Sequence, residues 1–152
     1  MNFAKAVAPI NLLLVEDNAA DAFLIDTFFR DSNILNTLHQ VRDGEAAMEF
    51  LRQENQYSQA PRPHLIFLDL NLPKKDGREV LADLKSDPAL KEIPVIVMTG
   101  SAAAQDISQS YQLHASCYVT KPSDLNQFNQ TMQSIEDFWL NYVKLPVPLT
   151  TS

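Results

Sequence analysis

The chain has 152 residues, 45% hydrophobic and 20% charged, which suits one globular domain and excludes a disordered chain. A net charge of −7 without any basic cluster excludes electrostatic nucleic-acid binding, and the single cysteine, Cys117, excludes an intrachain disulfide or a cysteine-built metal centre. No apolar run approaches the ~18 residues of a membrane helix, and Glu16 and Asp17 interrupt the one near the N-terminus, so the sequence reads as soluble and cytoplasmic, with no signal peptide and no membrane contact.

Ile10–Val15 is apolar except for Asn11 and predicts a strand buried on both faces. Asn18 is placed to cap a helix that carries Asp21 in its first turn and runs to about Arg30, with Phe23, Leu24 and Phe28 on its inner side. Thr37–Val41 reads as a second, more polar strand, and Gly44–Arg52 as a helix. Asn55–Pro63 is a polar loop with two prolines. Leu65–Leu68 is a third strand and ends at Asp69. Pro73 to Gly77 is rich in turn residues and leads into a helix over Arg78–Lys85. Pro88 and Pro94 bracket the loop into a fourth strand, Val95–Met98. Ser101 is placed to cap a helix over Ala102–Tyr111, and Cys117–Val119 is a short fifth strand. Asp124 begins a long last helix that reaches about Tyr142; Pro146 and Pro148 keep the tail from being helical.

Alternating strands and helices joined by right-handed crossovers give a three-layer α/β sandwich. The expected sheet is five-stranded and parallel, in the flavodoxin-like order 2-1-3-4-5. The expected domain spans residues 10–144, between an N-terminal extension, 1–9, and a C-terminal tail, 145–152. Such sheets bind ligands beyond the carboxyl ends of their strands. The residues standing there are Glu16 and Asp17, Asp69, Thr99 and Lys121. Crowded carboxylates repel one another, and a hard cation removes that cost. Mg²⁺ takes few carboxylates and keeps several waters, which leaves room for a phosphoryl oxygen.

Taken singly, each of these residues has a plainer role. An Asp after a strand is usually a turn or cap residue, Lys121 alone is a solvated side chain, and Thr99 alone a helix cap. Their joint placement on one edge argues against those roles together. His39, His64 and His114 have no ligand spacing to one another and read as structural or surface residues. Cys117 reads as a small buried apolar residue.

The segments VEDN, DLNLPKKDG, MTGS and TKP, in this order, resemble the receiver domains of bacterial response regulators, CheY-like in fold, over about residues 10–142. DLNLP, SYQLHASCYVTK and the late FWL are most similar to the small regulators paired with cyanobacterial phytochrome kinases. The resemblance implies a signalling switch, not a metabolic enzyme: Asp69 accepts a phosphoryl group from a sensor histidine kinase, expected to be a phytochrome. It implies Mg²⁺, replaceable by Mn²⁺, on Asp17, Asp69 and the Asn71 backbone carbonyl, with Glu16 reaching the ion through water. Lys121 and the Thr99 hydroxyl would pair with phosphoryl oxygens, and Gly100 would let its N–H approach another. Tyr118 stands at the switch position, where the plainer role is a half-buried strand tyrosine. The resemblance also implies a cis Lys121–Pro122 bond, against a baseline of about 5–6% for such bonds.

Three other classes fit less well. A haloacid-dehalogenase-like phosphohydrolase needs a second Asp where Asn71 stands, and no cap domain fits in the chain. A flavodoxin-like cofactor binder needs a phosphate cradle where Glu16 and Asp17 would repel the phosphate. A degenerate receiver that only binds partners would not keep Asp17, Asp69, Thr99 and Lys121.

In the last helix Leu125, Phe128, Met132, Ile135, Trp139 and Tyr142 recur every three or four residues as one apolar stripe. Phe138, Leu140 and Val143 lie off it, and the tail adds Leu145, Val147 and Leu149. This excess predicts a symmetric dimer with Phe138, Trp139 and Tyr142 in the interface; the alternative is a helix end covered by its own tail. No output domain is expected after the last helix, so the signal would pass through another protein or through self-association.

Overall fold

Side chains alternate across the strands and so divide the core in two. In β1 (Ile10–Val15), Leu13 and Val15 enter one core and Leu12 and Leu14 the other. The same alternation sends Ile66 and Leu68 of β3 (Leu65–Leu68) to the first core, and Leu65 and Phe67 to the second. It likewise parts Val95 and Val97 from Ile96 and Met98 in β4 (Val95–Thr99). These three strands are buried on both faces because β2 (Asn36–Val41) and β5 (Cys117–Thr120) flank them. The computed structural model describes residues 8–148 and shows one parallel sheet in the order β2-β1-β3-β4-β5. The expected architecture is therefore the observed one. Most of the extension 1–9, and Leu149 of the tail, lie outside the described residues.

Helices α2 (Gly44–Arg52) and α3 (Gly77–Ser86) close the first core with Met48, Leu51, Val80, Leu81 and Leu84. Helices α1 (Ala19–Arg30) and α5 (Leu125–Ile135) close the second with Ile25, Phe29, Phe128, Met132 and Ile135. Each such side chain stabilises the fold by about 2 kcal/mol through burial. Helix α4 (Ala104–Gln112) buries only Ser110 of its own residues. It is the most weakly held helix of the sandwich, and such elements are the ones that move.

The structure corrects the inner face of α1. Ala22, Ile25 and Phe29 are buried, whereas Phe23 is 65% exposed and Leu24 and Phe28 are half-buried flanks. Ala22, Ile25 and Phe29 follow the three-and-four spacing of one helix face, and Phe23 lies off it. Ser101 does not cap α4 either. Its hydroxyl donates to Asp106 at 2.6 Å, and α4 begins at Ala104 with no side-chain cap. Asn11 is tolerated in β1 because its N–H donates to His64 Nδ1 at 3.0 Å and its Oδ1 meets His39 Nε2 at 3.2 Å. Both histidines are thus structural, as expected. Cys117 is half-buried against the second core. All peptide bonds among the described residues are trans, Lys121–Pro122 included. No helix among them is long and apolar enough to cross a membrane.

After Ile135 the last helix changes its winding. Glu136–Tyr142 is π-helical, and the Val143 N–H reaches back five residues to the Phe138 carbonyl at 2.8 Å. This slower winding ends the predicted apolar stripe. Trp139 and Leu140 remain packed on the core, but Tyr142 is 80% exposed, as is Phe138 at 52%. The Phe138 and Tyr142 rings stack with centroids 6.3 Å apart. Tail residues Pro146 to Pro148 lie instead beside Pro63, His64, Ala89 and Ile93.

Candidate functional site at the carboxyl edge of the sheet

Strand register brings the acids together. The Asp69 N–H donates to the Val15 carbonyl at 3.0 Å, so β3 ends directly beside Glu16 and Asp17. Carboxylate oxygens of Glu16, Asp17 and Asp69 lie within 4.8 Å of one another. Glu16 and Asp69 are buried and Asp17 is exposed. Lys121 arrives from the end of β5, its backbone N–H on the Thr99 carbonyl at 2.7 Å. Its ammonium donates to Glu16 Oε1 at 2.5 Å, Asp21 Oδ2 at 2.8 Å and Asp69 Oδ2 at 3.0 Å. The buried Thr99 hydroxyl donates to Asp69 Oδ1 at 2.8 Å, and the Asn71 N–H donates to the same oxygen at 3.2 Å. Every predicted strand-end residue is therefore in one cluster.

The charge balance is unequal: four carboxylates share this edge with one ammonium, and three of them bond it. Burial pushes the Glu16 carboxyl up to about 7, and Asp69 beside it adds to the rise against the Lys121 contact. Burial also works to raise Asp69, but hydrogen bonds from Glu16, Thr99 and Lys121 outweigh it and hold Asp69 below its ordinary value. Burial would lower Lys121; the bonds to Asp21 and Glu16 reverse this and hold it above the usual lysine value. A carboxyl raised first by burial and then by the carboxylate of Asp69 beside it resists carrying its charge, and a hard divalent cation would relieve that cost. All-oxygen donors, one of them exposed to water, suit Mg²⁺ or Mn²⁺.

The loop after Asp69 is held tightly. Lys74 adopts φ 67°, and the Lys75 N–H closes over it onto the Pro73 carbonyl at 2.8 Å. Gly77 seats α3 directly on this loop. A Cβ there would lie 2.3 Å from the Asp69 carbonyl oxygen and 2.6 Å from Leu70 Cα, both backbone. Gly77→Ala should therefore cost about 2 kcal/mol or more, read as a lower urea midpoint, because backbone beneath the site must shift. An unchanged midpoint would show that the loop yields freely. Gly100 differs: a Cβ there would meet open space, so protein atoms do not require a glycine at that position.

Tyr118 sits half-buried against the first core, and its hydroxyl donates to the Ser101 carbonyl at 2.8 Å. That loop is held in turn by Asp106, which accepts from Ser101 and, at 2.8 Å, from Arg78 of α3. Sequence reasoning missed Asp21, Arg78 and Asp106 as parts of the site. Asp21 had one available signal: the Asn18 cap puts it in the first turn of α1, beside the same strand end.

Residues 12–133 match the response regulator receiver domain family. The chain is 51% identical over 138 residues to the response regulator Rcp1 of Synechocystis sp., across 91% of this chain and 94% of Rcp1. A crystal structure of the Mn(2+)-bound form of Rcp1 is similar with a TM-score of 0.88 at 51% identity, covering 91% of this chain and 100% of that one. The phosphorylated cyanobacterial phytochrome response regulator RcpA is similar with a TM-score of 0.89 at 52% identity, covering 92% and 100%. Sheet order, clustered acids and sequence likeness agree, and the chain belongs to the response regulator receiver domain family.

Proposed function

We propose that this receiver takes a phosphoryl group on Asp69 from a phosphohistidine of a sensor histidine kinase, the kinase being a phytochrome. One observation carries the proposal. Each carboxylate oxygen of Asp69 already meets a donor suited to a phosphoryl oxygen, Thr99 on one and Lys121 on the other. Similarity to RcpA, which is phosphorylated and belongs to a phytochrome system, supports both donor and acceptor.

In this reading an Asp69 oxygen attacks phosphorus in line. The new O–P bond forms as the P–N bond breaks, and the electron pair leaves with the imidazole. Asp17, Asp69 and the Asn71 backbone carbonyl would hold Mg²⁺, or Mn²⁺ as in Rcp1, with Glu16 reaching it through water. When bound, the cation supplies positive charge against the phosphoryl oxygens. The Lys121 ammonium and the Thr99 hydroxyl turn from Asp69 to the transferred group, and the Gly100 N–H donates to it. Tyr118 follows the loop that carries Ser101 and passes the change to α4. Exposed Ala19, Ala20 and Phe23 at the start of α1 offer an apolar seat beside the site for the kinase. Residues 10–144 form the switching unit, acting in the cytoplasm through proteins and not nucleic acid.

Acetyl phosphate with Mg²⁺ should label the protein with acid-labile phosphate. Excess EDTA should abolish the labelling and Mn²⁺ should restore it. Undiminished labelling in EDTA would contradict the metal role, and none with Mg²⁺ would contradict the function.

The same reading includes a symmetric dimer through α5 and the π-helical segment. Phe138 and Tyr142 are exposed and stacked, with Trp139 edge-on to Phe138. The tail residues beside His64 leave this cluster uncovered. Helix α5 itself carries no acid or base, so its face adds no charge repulsion between two chains of charge −7; the acids Glu136 and Asp137 enter only with the π-helical segment. Phe138→Asp should turn a concentration-dependent dimer into a monomer in sedimentation, with or without beryllofluoride. A strict monomer for the unsubstituted chain in both states would rule the dimer out.

A further inference from the structure

Three carboxylates hold Lys121, and they are not equivalent. Glu16 and Asp69 belong to the acidic cluster suited to a cation; Asp21 does not. Asp21 is fixed from its own helix. Its N–H donates to the Asn18 side chain at 3.0 Å, and the Ala22 N–H donates to the Asn18 carbonyl at 2.9 Å. An ammonium has three protons, and here each carboxylate takes one.

During phosphoryl acceptance two of these contacts must change. Asp69 becomes the nucleophile, and Glu16 turns toward the cation. The Asp21 contact alone need not break. We infer that Asp21 is a positioning residue: it tethers the Lys121 ammonium on the α1 side of the site and so presents it to the incoming phosphoryl oxygen. The inference rests on Asp69 being the acceptor. The physical reason is the lysine stem, which has several rotatable bonds and loses much freedom when localised. A tether localises it before the reaction, and preorganised charge then acts without further reorganisation. The pair is partly buried, with 12% of the Lys121 side chain and 30% of the Asp21 side chain exposed, so solvent screens it less than a surface pair.

A merely structural Asp21 would tie α1 to the end of β5 and nothing more. A double-mutant cycle on the full chain separates the two roles. Asp21→Asn should lower the rate of labelling by acetyl phosphate and Mg²⁺ about tenfold, the size of one charge-assisted contact. In a Lys121→Met background, Asp21→Asn should lower the residual rate no further. Equal loss in both backgrounds, or no loss in either, overturns the inference. A second measurement needs neither metal nor phosphate: in the metal-free protein the Lys121 ammonium protons, followed by NMR, should exchange faster in Asp21→Asn. If the unsubstituted chain takes no label, the acceptor reading fails. The tether is then judged on exchange alone, where unchanged exchange overturns it.

Discussion

Asp69→Asn is expected to take up no acid-labile phosphate from acetyl phosphate and Mg²⁺ while remaining folded. The amide oxygen is a poor nucleophile, so the O–P bond has no source at this position. The variant keeps much of what positions the side chain. Its amide oxygen still accepts from the Thr99 hydroxyl and the Asn71 N–H, which now share Asp69 Oδ1. Its NH₂ group cannot accept from Lys121, but that ammonium retains Glu16 and Asp21. One buried negative charge also leaves a crowded site, which relieves the neighbouring Glu16. The gain and the lost contact nearly offset each other, and the change in stability should stay within about 1 kcal/mol. Urea denaturation checks the fold and phosphate labelling checks the chemistry. Full labelling of this variant would move the acceptor elsewhere, and a large loss of stability would show that the ion pair with Lys121 holds the edge of the sheet together.

The three central strands were legible because strands buried on both faces are apolar along nearly their whole length, as Leu65–Leu68 and Val95–Met98 are throughout. The site was legible for a related reason. Strand ends converge on one edge, so residues far apart in sequence become neighbours once the topology is known. What stayed hidden was pairing that topology alone does not specify. Lys121 and Asp21 are 100 residues apart, and Arg78 and Asp106 are 28 apart; nothing local to either sequence marks the partner. Ser101 shows the competition between local and distant bonds, since its hydroxyl goes to Asp106 and not to a helix cap. Helix α1 offers Phe23, Leu24, Ile25, Phe28 and Phe29, more apolar side chains than one face can bury, and only packing selects Ile25 and Phe29. The change of winding after Ile135 leaves no periodic trace in seven residues, so a stripe drawn at helical spacing carries Tyr142 to the wrong face.

Glu16 makes a second large effect measurable, in pH. Its carboxyl is raised from 4.5 to about 7 in the folded protein, chiefly by burial. Below pH 4.5 both folded and unfolded chains carry the proton, and stability is undiminished. Above that value the unfolded chain releases its proton while the folded one retains it, so stability falls until the folded group also ionises near pH 7. The loss for the metal-free protein should be on the order of 3 kcal/mol across this window. Asp69 does not contribute within it, because a depressed carboxyl loses its stabilising effect only as pH falls below its ordinary 3.8. His39 works the other way: burial lowers it, so its contribution grows with pH up to the ordinary 6.5. The comparison must therefore be made against Glu16→Gln, which keeps His39 and removes the titrating carboxyl. Urea unfolding in EDTA at pH 5, 6, 7 and 8 should show a fall in the unsubstituted protein that is steeper than in the variant. Added Mg²⁺ should stabilise the unsubstituted protein more at pH 8 than at pH 5, since a proton must leave Glu16 before the cluster carries its full negative charge. Parallel profiles for the two proteins in EDTA would mean that Glu16 is ionised throughout, with the charge excess at the sheet edge already balanced by Lys121.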